Sequence, residues 1–324
     1  MTRHVGVDVS KAWLDVAMLE GERGKHFRAG NHAAGHAAIK AWMARQAGAE
    51  ALHVCLEATG AYGFAFAKAL AAAGHKVSLI NPAQIKAFGR SELLRSKTDR
   101  IDAALIARFC RAMTPPAWTP PPDAVLRLRS LVRRCAALKE MRTQEINRMK
   151  SGAVSEEAMA SVERLIAFLD AEIAIITKAA AQAIADDAEL TRQAELLRSI
   201  PGLGPRAVAV ILGELPDLRS FPHAKKLAAF VGIAPGETSS GAHVQTSSPI
   251  SRVGNALVRS TMVLCALSAK RANPVLKDFA ARLAATGKSP KLVLVAVARK
   301  LLVLAHAVVK HGTPFNPNLP SMPS

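Results

Sequence analysis

His4-Val5-Gly6-Val7-Asp8-Val9, followed by Trp13-Leu14-Asp15-Val16-Ala17-Met18-Leu19, is the stretch from which the fold can be read. Valine at every second position marks a strand with one buried face, and a turn then leads into a second strand through Trp13 to Leu19. Asp8 interrupts the first strand between valines, where a charge is costly unless it is paired or binds a metal. Further along, His32 to Gln46 has helical spacing through Ala38, Ile39 and Trp42. Ala51 to Gly60 is an apolar strand with Glu57 near its end. Ala61 to Gly74 is a helix closed by Gly74, and Lys76 to Asn81 is a short strand stopped by Pro82. Strands alternating with helices in this order predict an α/β layout with a mixed sheet.

The next informative stretch is Lys97-Thr98-Asp99-Arg100-Ile101-Asp102. Thr98 can cap a helix whose Ile101, Leu105, Ile106 and Phe109 recur at helical spacing. Asp99 and Asp102 then share one face, about one turn apart. Two readings are open: a solvated helix start, where acids favour the positive end of the dipole, or half of a site for a hard divalent ion. Asp8 and Glu57 weigh on the choice, because acids at strand positions can converge with a helix packed on the sheet. Four carboxylates around one point repel one another unless cations are bound. With two Mg²⁺ ions they make a phosphoryl-transfer centre, one ion activating the attacking oxygen and the other stabilising the leaving one. Taken singly, Asp8 as a turn cap and Glu57 as a solvated strand end are the plain alternatives.

Composition limits the partners. The chain has 324 residues, half of them apolar, a formal net charge of +18 and a pI of about 10.3. That length predicts roughly two domains with real cores. The charge points to a polyanionic partner, nucleic acid before anionic membrane. No run is expected to approach the length of a spanning helix, and Met1-Thr2-Arg3-His4 leads straight into a strand, so neither membrane nor signal peptide is expected. Cys55, Cys110, Cys135 and Cys265 show no CxxC spacing and read as small core residues in a reducing compartment; a structural zinc site is not expected.

Five prolines in the nine residues Thr114 to Pro122 cannot continue a helix and predict a stiff elbow. Beyond it, Asp123 to Lys150 is helical, with Leu128, Leu131, Cys135 and Leu138 on one stripe and many arginines and lysines elsewhere. After Gly152, Val162, Leu165, Leu169, Ile173, Ile176, Ala180 and Ala183 repeat at heptad-like intervals. The pair reads as an antiparallel hairpin or coiled-coil arm and a candidate dimer seam. Leu196 to Ala207 (LLRSIPGLGPRA) carries the signature of a helix-hairpin-helix element. Gly202 and Gly204 there would let backbone N–H groups approach a DNA phosphate, beside Arg206. A tight turn without ligand is the alternative. From Glu195 to the C-terminus 16 Lys or Arg face 5 acids, so this third is where the polyanion is expected to lie, with Arg252 and Arg259 as further contacts. Leu257 to Ala269, Pro274 to Ala285 and Pro290 to Lys310 read as helices.

Together, VGVDVSKAWLDV (Val5–Val16), CLEATGAY (Cys55–Tyr62), INPAQIKAF (Ile80–Phe88), RSKTDRIDAALIARFC (Arg95–Cys110), SIPGLGPRAVAVIL (Ser199–Leu212), LAAFVGIAPGETSSG (Leu227–Gly241) and ISRVGNALVR (Ile250–Arg259) resemble the IS110 family of insertion-sequence transposases, the bridge-RNA-guided DNA recombinases. The motifs run in the family's order over nearly the whole chain. The resemblance implies a RuvC-like (RNase H fold) domain over 1–113 whose DEDD tetrad, Asp8, Glu57, Asp99 and Asp102, binds Mg²⁺, with Mn²⁺ as a substitute. It further implies a linker over 114–122, a coiled-coil arm over 123–192 and a mainly helical transposase domain over 193–324. That last domain would carry a serine nucleophile that lands on Ser240, with Ser239 adjacent. Gly236 departs from the family, which commonly has a basic residue after the proline, and the loop from Ala242 to Ser248 is less basic than in the family.

The implied partners are donor and target double-stranded DNA, a non-coding bridge RNA, and other copies of the chain as a homodimer and tetramer. The place would be the bacterial cytoplasm, on the nucleoid when DNA is bound. The expected activity is strand cleavage, exchange and religation. A RuvC-like junction nuclease acting by hydrolysis alone is the alternative, and a non-catalytic nucleic-acid-binding protein is the third.

Overall fold

The computed structural model describes residues 3–20, 23–48, 50–58, 60, 62–92, 99–152, 155–234, 250 and 253–318. These fall into two compact units, Met1–Pro120 and Pro121–Ser324.

The first unit is built on a five-stranded sheet: β1 (His4–Val9), β2 (Trp13–Glu20), β3 (Arg23–Gly30), β4 (His53–Glu57) and β5 (Lys76–Ile80), in the order β3-β2-β1-β4-β5. β1, β2 and β3 form an antiparallel meander, whereas β4 and β5 run parallel to β1. The expected mixed sheet is present. β3 is the strand that the sequence pattern does not announce. It is an edge strand, and RGKHFRAG places only Phe27 and Ala29 against the core. Charged edges of this kind deter pairing with other chains.

Side-chain alternation divides the sheet into two faces. One carries Val5, Val7, Leu14, Val16, Val54 and Leu56, packed against Ile39, Trp42 and Met43 of α1 (Ala33–Ala47) and Phe66 and Leu70 of α2 (Phe64–Ala72). The other face is covered by α4 (Asp99–Met113), which follows α3 (Pro82–Ser91). Gly6 makes that second packing possible. A Cβ at Gly6 would lie 2.2 Å from the Ala103 carbonyl oxygen and 2.2 Å from the Ala107 nitrogen, so helix backbone rests directly on strand backbone.

The proline-rich stretch is not a free tether. The Trp118 N–H donates to the Val77 carbonyl at 2.7 Å, and Ser78 Oγ lies 2.8 Å from the Pro116 carbonyl. The Trp118 ring meets Phe64 edge-on at 5.5 Å. The run is thus laid along β5, its fixed φ angles keeping it extended.

The second unit is helical. α5 (Asp123–Lys150) and α6 (Glu156–Ala185) pair through Arg127–Asp186 at 2.9 Å, Cys135–Thr177 at 3.7 Å and Arg142–Asp170 at 3.0 Å. Numbers that rise on one helix fall on the other, so the pair is an antiparallel hairpin. Val162, Leu169, Ala180 and Ala183 are buried as the heptad-like spacing predicts, but Leu165 is 42% exposed and leaves the stripe.

α7 (Ala188–Arg198), α8 (Pro205–Glu214), a 3-10 turn at Leu218–Ser220 and α9 (Ala224–Val231) follow, then α10 (Ala256–Ala272), α11 (Pro274–Ala285) and α12 (Pro290–His311). Asp187, Asn255 and Asn273 cap the helices after them. One core runs from Leu128 and Ile184 at the base of the hairpin through Leu197, Val208 and Met262 to Leu301 and Val309.

One expectation is corrected here. α12 has 22 residues, and an 18-residue window within it has a mean hydropathy of 2.2, long and apolar enough to cross a membrane. In the structure Val297, Ala298, Leu301 and Leu302 lie at the centre of the second unit's core, which accounts for the apolar run.

Candidate active site

β1 and β4 are parallel neighbours in a register that pairs Gly6 with Cys55 and Val7 with Leu56. The next residue on each strand is Asp8 and Glu57, so these two acids stand side by side. Both are half-buried and belong to the face covered by α4.

The helix reaches the same end of the sheet. The Cys110 thiol, near the C-terminus of α4, donates to the carbonyl of His53 at the start of β4, at 3.5 Å. Ala107 and Ala103 lie over Gly6 in the middle. α4 therefore runs against the direction of β1 and β4, and its first turn, with Asp99 and Asp102, lies toward the strand ends that carry Asp8 and Glu57. From Gly6 to Asp8 is about 6.6 Å along the strand, and one helical turn back from Ala103 to Asp99 is about 6 Å. The lengths match, so the strands and helix bring the four positions to one end of the sheet. Asp102 is half-buried; for Asp99 only the backbone, as the first residue of α4, is described. Thr98, the expected cap, lies outside the described residues.

A further acid belongs to this row, one that the sequence reading did not single out. Asp15 on β2 is the register partner of Asp8 across β1–β2, on the same face, and only 4% exposed. Its carboxylate lies 3.3 Å from His26 Nε2 and 3.5 Å from Arg28 Nε, both on β3. Arg28 also lies over the Trp13 ring, 5.2 Å from its centroid. The order Arg28, Asp15, Asp8, Glu57 thus crosses four strands in one line. The signal that marked Asp8, an aspartate set among apolar strand residues, is equally present in Leu14-Asp15-Val16.

The chemistry of these positions suits hard cations: carboxylates at neighbouring strand ends and at the start of the helix over them. Asp8 and Glu57 on fixed strands and Asp102 on a packed helix are the residues that would hold Mg²⁺.

In the second unit α7 and α8 enclose the turn at Ser199–Gly204. Gly202 has φ +108, a backbone state that favours glycine, and a Cβ there would lie 2.4 Å from that of Ala269. Gly204 caps α8, Pro205 occupies its first turn, and Gly204, Pro205 and Arg206 are all exposed, leaving the helix's positive end open.

Ser240, with Ser239 and Gly241, lies outside the described residues, as does Arg252. The residues flanking that segment are held together. Arg259 Nη1 donates to the Val231 carbonyl at 3.0 Å, so part of this expected nucleic-acid contact serves the fold. Asn255 Nδ2 donates to Glu214 Oε2 at 2.8 Å, and Arg133 grips the same carboxylate at 2.6 and 3.0 Å. Burial alone would raise the Glu214 pKa; the bonds from Arg133 and Asn255 outweigh it and hold it below the usual carboxylate value.

Comparison with known proteins matches two stretches of the chain. Residues 5–154 match a family model described as "Transposase", and residues 194–281 match one described as "Transposase IS116/IS110/IS902 family". The pilin gene-inverting protein of Moraxella lacunata is 30% identical over 315 residues, 97% of this chain and 97% of that protein. Its namesake in Moraxella bovis matches over the same length with the same identity. A 43.6 kDa protein of insertion element IS110 from Streptomyces coelicolor is 32% identical over 126 residues, 39% of this chain and 31% of that protein. The chain belongs to the IS116/IS110/IS902 family of insertion-sequence transposases and is a DNA transposase/recombinase.

Proposed function

We propose that this enzyme is an RNA-guided recombinase that cleaves, exchanges and rejoins donor and target DNA. A serine nucleophile, Ser240, and a carboxylate centre of Asp8, Glu57, Asp99 and Asp102 divide the chemistry. The observation that carries the reading is the convergence of the strand acids and the α4 start on one end of the sheet, in a chain of net charge +18. The chain would then comprise a RuvC-like domain over 1–113, a linker over 114–122, a coiled-coil arm over 123–192 and a transposase domain over 193–324.

Bound Mg²⁺ would neutralise the carboxylates and supply Lewis-acid stabilisation of charge on phosphate oxygens. Asp8 and Glu57 would hold it from adjacent strands, and Asp102 from the helix. Ser240 Oγ attacks a phosphodiester phosphorus, its proton leaves to a base, and the deoxyribose oxygen departs. The result is a phosphoserine bond of nearly the same energy as the one broken. That bond is attacked in turn by a hydroxyl of the second DNA, which restores the serine. Exposed Gly204–Arg206 at the start of α8 grips backbone phosphate in a helix-hairpin-helix manner, with Arg252 and Arg259, later in the chain, as further contacts. The names of the Moraxella relatives specify gene inversion; the same two exchanges on sites in opposite orientation would give inversion here.

The surplus of positive charge serves DNA and a non-coding bridge RNA together. Leu165, Phe168 and Ile175 stand exposed on α6, which favours a homodimer through the arm and a tetramer built from it. The test is recombination of donor and target plasmids with the cognate RNA. Wild type recombines, and Ser240→Ala and Asp102→Ala do not; a variant that still recombines removes its residue from the mechanism. Strand cutting that survives Ser240→Ala while Asp102→Ala abolishes it would favour the hydrolytic nuclease.

A further inference from the structure

His53, Cys55 and Cys110 converge on one point beneath α4. The imidazole and the two thiols place their ligand atoms within 4.8 Å of one another, and all three residues are buried. His53 and Cys55 are two apart on β4 and so share a face; Cys110 comes down on them from the helix. Sequence spacing could not reveal the group, since Cys110 lies 55 residues beyond Cys55 and meets β4 only through the sheet–helix contact.

The contacts these groups make with one another are weak. Cys55 Sγ lies 4.0 Å from His53 Nε2, the Cys110 thiol donates to the His53 carbonyl at 3.5 Å, and the Cys55 and Cys110 thiols also meet each other. Around them are Ile80, Ile85, Ile106 and Phe109, with His4 and Lys76 close enough to act on the His53 ring. An oxygen donor stands close by: Ser78 Oγ on β5 is buried and 2.9 Å from His53 Nε2. Burial depresses the His53 pKa to about 4, which keeps its imidazole neutral with a lone pair at physiological pH.

We propose that His53, Cys55 and Cys110 form a structural site for a thiophilic d¹⁰ cation, zinc first, with Ser78 Oγ as the fourth donor. Two thiols lose their protons to solvent on binding, and two thiolates with one divalent ion and neutral donors give a complex of zero net charge. That neutrality is what allows an ion in an apolar core. Closing the present separations to tetrahedral bonds of about 2.0–2.3 Å needs side-chain shifts, not a new backbone path. The ion would be distinct from those at the carboxylates, because thiolate and imidazole select zinc whereas grouped carboxylates select magnesium. It would staple β4 to α4 and so fix the helix whose first turn carries Asp99 and Asp102.

The test uses the full chain, expressed without a histidine tag and purified reduced and without chelator. Elemental mass spectrometry should find about one zinc per chain, falling about fivefold or more in Cys55→Ser and Cys110→Ser and unchanged in Cys135→Ser and Cys265→Ser. If the serine variants do not fold, wild type decides: metal-free reduced protein titrated with Co²⁺ should gain thiolate-to-cobalt charge-transfer absorption, and Zn²⁺ should raise its Tm. Protein without zinc, and without spectral or thermal response to either ion, overturns the proposal. So does a Cys55–Cys110 disulfide, seen as a mass two hydrogens lower, or zinc that persists in both serine variants.

Discussion

Asp8 on β1 and Glu57 on β4 stand one residue beyond the Val7–Leu56 pair of a parallel register, on the face that α4 covers. The register holds the two positions side by side, so cation binding and activity should depend on both carboxylates. Asp8→Asn and Glu57→Gln should each lower DNA cleavage at least about 100-fold while DNA binding changes only a few-fold. Cleavage assays beside gel-shift affinities at fixed salt separate the two effects.

Gly6 sets how closely α4 approaches the sheet. In Gly6→Ala the new methyl meets helix backbone at 2.2 Å, which side-chain rotation cannot relieve. The variant should lose about 3 kcal/mol of stability, read as a lower urea midpoint, and its α4 should be displaced outward. Gly204→Ala, where a Cβ meets nothing within 4 Å, should lose only the roughly 0.5–1 kcal/mol of a poorer N-cap and serves as the control.

Asp15 is buried beside Asp8 and linked to His26 and Arg28. Asp15→Asn keeps the shape and removes the charge, leaving Arg28 partly uncompensated. We expect a stability loss of about 1–2 kcal/mol, moderated by Arg28's solvent exposure, and a reduced rate at saturating Mg²⁺. Measuring cleavage against Mg²⁺ concentration tells a shifted metal affinity from simple unfolding.

Acid should weaken the second unit first where carboxylates are held by arginines. Glu189 is depressed to about 2, chiefly by Arg192, and Glu214 is depressed by Arg133 and Asn255 against its burial. A folded pKa below the unfolded one means stability that is full above about 4.5 and lost as pH falls toward 2. Thermal midpoints between pH 6 and 2.5 should fall less steeply in Glu214→Gln than in wild type, from a lower starting value at neutral pH.

Periodic residues made most of the first unit legible. Alternating valines gave β1, and the placement of Asp8, Glu57 and the α4 acids followed from strand ends and one helical turn. β3 escaped because an edge strand need not alternate: Arg23-Gly24-Lys25-His26 has no apolar face to read. Asp15 escaped because its partners, His26 and Arg28, come from that same strand. α9 escaped because its eight residues form barely two turns. The apolar run of α12 shows the opposite limit, since composition alone cannot tell a core helix from a spanning one. Ser240 came from likeness of motifs, as no local pattern distinguishes a nucleophilic serine from an ordinary one in a loop.

The most direct measurement is to trap the reaction on nicked suicide DNA with the cognate RNA, then digest and map the phosphopeptide by mass spectrometry. The account predicts a covalent protein–DNA adduct with the phosphate on Ser240, formed with Mg²⁺, lost with chelator, and absent in Ser240→Ala. Cleaved DNA with free ends and no adduct, or an adduct on another residue, would contradict it.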